Sequence, residues 1–281
     1  MTELGKDTKA VWIASVPRCG SMWTYNVTRR IVQAAGHEVV PALVPQDELA
    51  MLRIGSEGIH EPALDRVRVL KVHSLLPPDL PFARFIVPCR DVGESLLSYM
   101  RFTRRDFEAA LNFVDDAVAI SRHYGDFPRD LVLPIAYGEI VARPAAVARA
   151  IAGFLGVEIE TRALLEIVRA YSKENVRKLI AKRERDLSRR TRDGHLIAAE
   201  EVVIVGPQNV RVFDPATGFQ SGHISPEGGG DWSRVLTPRQ KEKLEARIAA
   251  ARRSGGDADG RTKVAMITAA EAGTGRHAGY A

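Results

Sequence analysis

A strand-length apolar run, Val11-Trp12-Ile13-Ala14-Ser15-Val16, breaks at Pro17-Arg18-Cys19-Gly20-Ser21 and gives way to helical spacing from Trp23 to Ala35, which Gly36 ends. A strand that passes through a tight small-residue turn into a helix begins a β–α unit, and that unit carries a binding property by geometry alone. The turn amides point inward, and the helix dipole favours negative charge at that end. Gly20 permits close backbone approach, Arg18 adds a cation and Ser21 a hydroxyl donor. The Gly-x-x-x-x-Gly-Lys-Ser/Thr spacing of an ATPase loop is absent. Taken alone, the segment reads equally as a tight connection or as a phosphate cradle.

The same alternation recurs downstream. Val67 to Val72, Phe85 to Val87 and Leu131 to Ile135 read as strands. Helical spacing covers Val92 to Phe102, Phe107 to Tyr124, Thr161 to Tyr171 and Lys173 to Glu184. Two further helices are marked by their ends: Arg143 to Leu155, with Pro144 in its first turn and Gly156 beyond it, and Thr237-Pro238 to about Ala251. Residues 41 to 66 read as loops and short helices. Residues 185 to 222 read as irregular, with Val202 to Val205 as an outer strand. Strands separated by helices predict an α/β fold: a single domain, residues 8–252, with a central parallel sheet flanked by helices. A tail rich in Gly, Ala and charge, 253–281, is predicted to be disordered. In such sheets ligands bind outside the carboxyl ends of the strands.

Composition narrows the partners. The net charge of +5 suits an anionic ligand, but Lys and Arg are spread along the chain rather than gathered into the stripe of a nucleic-acid reader. The densest basic stretch, Arg177 to Arg192, also holds Glu184 and Asp186; it reads as a solvated helix and loop, or as a lip that guides an anion. No apolar run approaches the roughly 18–20 residues of a membrane span. No charged-then-apolar leader precedes Val11, so a cytoplasmic protein is expected; a homodimer is left open. Cys19 and Cys89 are too few for a disulfide framework or a four-cysteine zinc site, and no metal is expected; both read as small buried fillers, with a redox-sensitive pair as the alternative.

Further chemistry-bearing residues fall at strand ends. Arg90 ends the strand Val87-Pro88-Cys89 and Ser98 follows eight residues later, so a guanidinium and a helix hydroxyl can converge on one phosphate. Period-two alternation puts Lys71 and His73 on one face, an imidazole beside a cation, which suits a tunable general base. Tyr137 follows the fourth strand. Gly228-Gly229-Gly230 before Asp231-Trp232 allows backbone to approach a ligand closely, or forms a hinge.

The order and wording of these segments resemble the sulfotransferase family that uses 3′-phosphoadenosine 5′-phosphosulfate (PAPS). Pro17-Arg18-Cys19-Gly20-Ser21-Met22-Trp23 is similar to the family's Pro-Lys-Ser-Gly-Thr-Thr-Trp loop, which holds the 5′-phosphosulfate and stacks its Trp on adenine. The resemblance implies cofactor contacts from Arg18, Cys19, Gly20, Ser21, Met22 and Trp23. Arg90 and Ser98 look like the pair that binds the 3′-phosphate; a shifted register puts Ser95 in the serine role but leaves Val87 where the Arg belongs. Tyr137 resembles a tyrosine that touches adenine, and Gly228, Gly229 and Gly230 resemble the closing motif over the 3′-phosphate. Lys71-Val72-His73 resembles the family's Lys-Thr-His, whose His deprotonates the acceptor hydroxyl. By this resemblance His73, Arg18 and Lys71 are catalytic, PAPS is co-substrate, 3′-phosphoadenosine 5′-phosphate (PAP) is the product, and the acceptor is a small molecule, glycan or lipid.

Two departures stand out. Arg18 replaces the family Lys, keeping the charge without a proton to donate, and Ser225-Pro226-Glu227 replaces Arg-Lys-Gly, with Arg234, His223 or Arg211 as substitute cations. They keep open a non-catalytic binder of adenosine bisphosphates; a P-loop kinase for small molecules is the other alternative. Acceptor loops are expected at residues 41 to 66, 74 to 82, 103 to 112 and 185 to 222. Leu43, Val44, Leu49, Met51, Leu52 and Ile54 in the first read as a lining for an apolar acceptor portion or simply as packing for the loop.

Overall fold

The computed structural model describes residues 8–57, 66–205, 210–224 and 231–254. Strand β1 (Ala10–Ala14) is buried along its whole length and leads through the turn into α1 (Ser21–Ala34). There follow β2 (Glu38–Val40), α2 (Glu48–Ser56), β3 (Arg66–Val72), β4 (Ala83–Cys89), α3 (Val92–Thr103), α4 (Phe107–Ala110) and α5 (Phe113–Gly125). The chain continues with β5 (Val132–Ala136), α6 (Tyr137–Ala142), α7 (Pro144–Leu155), α8 (Thr161–Ala170) and α9 (Lys173–Arg192). It closes with β6 (Val202–Ile204), β7 (Val210–Val212), α10 (Trp232–Val235) and α11 (Pro238–Ser254).

The main sheet has the order β2-β3-β1-β4-β5 and every pairing is parallel. Trp12 lies opposite Leu70 of β3 and Phe85 of β4, so the central strand is apolar on both flanks. From β1 the chain leaves toward β2 on one side; from β4 it leaves toward β5 on the other. The connections diverge between the carboxyl ends of these adjacent strands, which opens a crevice there. Both the Pro17–Gly20 turn and Arg90 stand at that crevice.

Local chemistry explains most of the boundaries. Asp91, Asp106 and Ser172 accept bonds from backbone amides as N-caps of α3, α4 and α9. Pro144 opens α7 and Gly156, at φ 71°, closes it in the left-handed region.

The structure differs from the sequence reading in five places. The 107–124 helix is divided at Leu111 and Asn112 into α4 and α5. The helix from Lys173 runs on to Arg192, because its stripe of buried Val176, Ile180 and Leu187 continues one more turn pair than the charge-rich sequence suggested. The outer strand at Val202 is part of a separate antiparallel ribbon with β7, not of the main sheet. Strand β2 sits in what read as helix end and loop, and three residues are too short to show a period. Helix α11 extends through Ser254, past the expected start of the tail at 253; the rest of the tail lies outside the described residues.

Candidate active site

The cradle forms because two residues take left-handed backbone: Arg18 at φ 73° and Gly20 at φ 90°. A Cβ on Gly20 would lie 3.0 Å from Ile140 Cδ1 and 3.2 Å from Tyr137 Cδ2, so only glycine lets α6 close against the turn. No side chain caps α1, which leaves its N-terminal amides available at the turn. The sequence-predicted residues Arg18, Gly20, Ser21, Met22, Trp23, Lys71, His73, Arg90, Ser98 and Tyr137 all line one cavity of about 950 Å³. Cys19 does not line it: its thiol is buried under the turn, 3.5 Å from Ser95 Oγ, and burial pushes it up to about 11.

Beside the turn stands the end of β3, the strand paired with β1. His73 Nδ1–H donates to the Ser15 carbonyl at 2.6 Å, which fixes the tautomer and leaves Nε2 without a proton. Lys71 Nζ lies 3.1 Å from that Nε2 and donates to it. Burial first, then the Lys71 charge, lowers His73 to about 3, so the imidazole is neutral throughout the physiological range. Burial also lowers Lys71, against the pull of Glu48. A neutral imidazole whose Nε2 carries no proton can accept one from a hydroxyl that takes the place of Lys71 as its donor.

The cations are arranged by aromatic rings. Arg18 Nε donates to Ser98 Oγ at 3.2 Å and its Nη2 to the His223 carbonyl at 3.0 Å, with the guanidinium 4.2 Å from the Phe102 centroid. Its pKa falls to about 10, by burial and then by the neighbouring Arg211. Arg90 sits 4.2 Å from the Tyr137 ring, donates to the Arg18 carbonyl at 3.2 Å and pairs with Glu94 at 2.9 Å. Ser98 faces the cavity, whereas Ser95 is fully buried against Cys19.

Of the three substitute cations, Arg211 stacks at 4.2 Å from Phe102 and donates to the Phe102 and Ser221 carbonyls, and His223 stacks on the same ring at 5.5 Å. Burial, then the charge of Arg18, holds His223 well below the usual histidine range. Arg234 is turned to solvent and paired with Asp231. Gly228, Gly229 and Gly230 lie outside the described residues, but Trp232 just after them packs on Gly93 at the start of α3. Trp232 therefore meets the helix that follows Arg90.

Three expectations are corrected. Of the apolar residues 43–54, only Val44 and Met51 line the cavity; Leu43 and Leu49 are exposed, and Leu52 and Ile54 pack on the core. Cys89 is exposed rather than a buried filler. Lys173, at the start of α9, lines the cavity, but the basic residues from Arg177 to Arg192 do not, and Arg183 and Arg190 pair with Asp214 and Glu201.

Sequence reasoning missed Glu48, Phe102 and Tyr124. Glu48 read as part of a loop. Phe102 carried no motif, although its spacing of four from Ser98 puts both on one face of α3. Tyr124 OH donates to the Ser74 carbonyl at 2.6 Å and accepts from the Leu76 amide at 3.1 Å, pinning the loop after His73.

A parallel sheet with an anion cradle at its switch point, a second cation at the strand end on one side of it and a neutral histidine at the strand end on the other suits a nucleotide-using group-transfer enzyme. A family model described as sulfotransferase domain matches residues 8–198, and the chain belongs to that family: it is a sulfotransferase, transferring sulfuryl groups. Among solved structures the fold is similar to mouse sulfotransferase SULT7A1 complexed with PAP, at 15% identity, TM-score 0.57, covering 93% of this chain and 89% of that one. It is also similar to retinol dehydratase in complex with androsterone and inactive cofactor PAP, at 13% identity, TM-score 0.55, covering 86% and 80%. No curated protein matches the sequence. Among the described residues no helix is long and apolar enough to cross a membrane, and no cluster of His, Cys, Asp and Glu could hold a metal ion.

Proposed function

We propose that this chain moves the sulfuryl group of PAPS to a hydroxyl of a small-molecule, sugar or lipid acceptor, with His73 as general base, and that the transfer domain runs from residue 8 through α11. The observation that carries the reading is the His73 ring: Nδ1–H is committed to Ser15, and Nε2 faces the cavity beside Lys71. The residues around the cradle fit a phosphosulfate: left-handed Gly20, an uncapped helix start, the Ser21 hydroxyl and nearby cations.

In this reaction His73 Nε2 takes the acceptor's hydroxyl proton. The acceptor oxygen forms a bond to sulfur as the bond from sulfur to the phosphate oxygen breaks, and that electron pair leaves with the phosphate. Lys71, Arg18 and the turn amides meet the negative charge that develops. Arg90, Ser98, Trp23 and Tyr137 hold the nucleotide. Val44, Met51, Tyr99, Phe102 and Phe213 give the acceptor side an apolar and aromatic lining.

The test is transfer of labelled sulfate to a screen of phenols, steroids, sugars and lipid-linked glycans. His73→Ala is expected to abolish transfer and to retain PAP binding; turnover by that variant would remove His73 as base. The engagement of Arg18 with Ser98 and Phe102 favours a second reading, a PAP binder without turnover, and a wild-type chain that binds PAP but transfers to nothing would select it.

A further inference from the structure

Glu48 stands in the first turn of α2 and lines the cavity. One of its carboxylate oxygens, Oε1, accepts the His73 backbone N–H at 2.9 Å and also the Ser74 hydroxyl. A single oxygen thus holds the first two residues beyond β3, the point at which the base is presented. The helix that carries it is fixed. Asp47 caps it through the Ala50 amide at 2.7 Å, Met51 is buried beneath it, and Gly55 seats it against Trp12 and Leu70 so closely that a Cβ would overlap the indole.

The charges around Lys71 give that carboxylate a second role. Its own strand end presents His73, the cradle presents Arg18 and the segment after β7 presents His223, while α2 presents Glu48. Arg18 is a cation across the neutral range and both histidines are neutral there. Burial works against an ammonium at Lys71, and Glu48 is the acidic group that opposes it.

We propose that Glu48 is a positioning residue for sulfuryl transfer, clamping the backbone of His73 and keeping Lys71 an ammonium that donates to His73 Nε2. The inference rests on the proposed role of His73. Through it, the same helix that lines the acceptor side with Met51 sets the protonation of the reacting pair, so that acceptor loop and base are one mechanical unit.

Glu48→Gln separates the two roles, since the amide keeps an acceptor oxygen and loses the charge. The measurements are kcat and acceptor KM from pH 6 to 10, PAP affinity by calorimetry, and the melting temperature. Glu48→Gln is expected to keep PAP affinity within about twofold, and to move the alkaline limb of kcat down by roughly one pH unit, the usual effect of removing an opposite charge at this range. At pH 6 its kcat is expected to approach wild type, with KM little changed. Glu48→Ala, lacking the clamp as well, is expected to lose kcat at every pH. An unmoved alkaline limb in a folded Glu48→Gln would overturn the proposal, as would a uniform loss of activity and melting temperature in both variants. Should the wild type transfer no sulfuryl group, the functional reading fails separately. The inference is then read from the ¹⁵N shift of His73 Nε2, whose alkaline inflection reports Lys71 and is expected at lower pH in Glu48→Gln. The same inflection in both proteins would refute it.

Discussion

Lowering the pH of the free protein tests the electrostatics of the site without any ligand. His73 has a pKa of about 3 in the folded chain, against an ordinary 6.5. Below pH 6.5 the unfolded chain therefore binds a proton that the folded one refuses, and stability falls as pH falls. The sign is that of a base buried in its neutral form: the contribution is intact above about pH 7 and is lost progressively down to the folded pKa. Between those limits the slope is at most about 1.4 kcal/mol per pH unit. From pH 7 to 4.5, the His73 contribution to the loss is about 2.6 kcal/mol. Urea unfolding followed by fluorescence at half-unit steps gives the wild-type curve, and His73→Gln is expected to flatten it by that amount. His223, held low by the same burial and by Arg18, adds a second increment that His223→Gln removes. The same neutrality predicts that kcat/KM has no acid limb near pH 6.5 attributable to His73. A wild-type stability curve between pH 7 and 4.5 that His73→Gln leaves unchanged would refute the assigned protonation state, and with it the readiness of the imidazole to act as a base.

Four substitutions probe the remainder of the site and its support. Arg90→Ala is expected to weaken PAP binding about 10- to 100-fold, the range for a hydrogen bond to a charged group, while AMP binding falls less; equal affinity for PAP in calorimetry would remove Arg90 from the 3′-phosphate. Ser98→Ala is expected to weaken PAP binding several-fold, whereas Ser95→Ala, changing a hydroxyl sealed against Cys19, alters melting temperature and leaves binding alone; the reverse pattern would restore the shifted register. Arg29 is buried and donates to the Pro41 and Ala42 carbonyls at 2.8 Å each and to the Ala216 carbonyl at 3.5 Å. Arg29→Met is expected to cost about 3 kcal/mol in urea unfolding, through carbonyls left unpaired, and to raise acceptor KM because both loops lose their tie to α1; a neutral result would refute that tie.

The β–α alternation was legible because the central strands β1 and β4 are apolar runs and several long helices carry a cap or a stop that sequence displays, such as Asp91, Pro144 and Gly156. The site was legible to the same degree for a simple reason: a parallel sheet collects the residues at its carboxyl strand ends, so Arg18, His73, Arg90 and Tyr137 had to meet. What sequence left hidden was contact made through backbone or across long separations. Glu48 works on a backbone amide 25 positions away, and Tyr124 on a carbonyl 50 away; neither belongs to a motif. Strand β2 exists because Glu38–Val40 lies in register with Arg66–Arg68, a pairing that three residues cannot announce. The apolar residues 43–54 were misjudged because composition cannot tell which face of α2 looks inward; only Met51 of that helix turns both to the core and to the cavity.

The replacement of the family lysine by Arg18 takes on a definite meaning in this geometry. An arginine at that position reaches farther than a lysine, and here its guanidinium lies across Phe102, bonded to Ser98 and to the His223 carbonyl. Phe102 also carries Arg211 at the same 4.2 Å separation. One ring therefore holds two guanidiniums, and the proton affinity of Arg18 is lowered by burial first and then by repulsion from Arg211. Two desolvated cations held close together relieve that repulsion when an anion arrives, so in the proposed reaction this pair favours binding of the phosphorylated nucleotide. Arginine also cannot release its proton at working pH. The mobile proton of the site accordingly belongs to Lys71 and His73, 3.1 Å apart at the end of the neighbouring strand. Binding charge and reacting proton are thus divided between two adjacent strand ends, and Arg18→Lys should disturb nucleotide affinity more than the pH dependence of turnover.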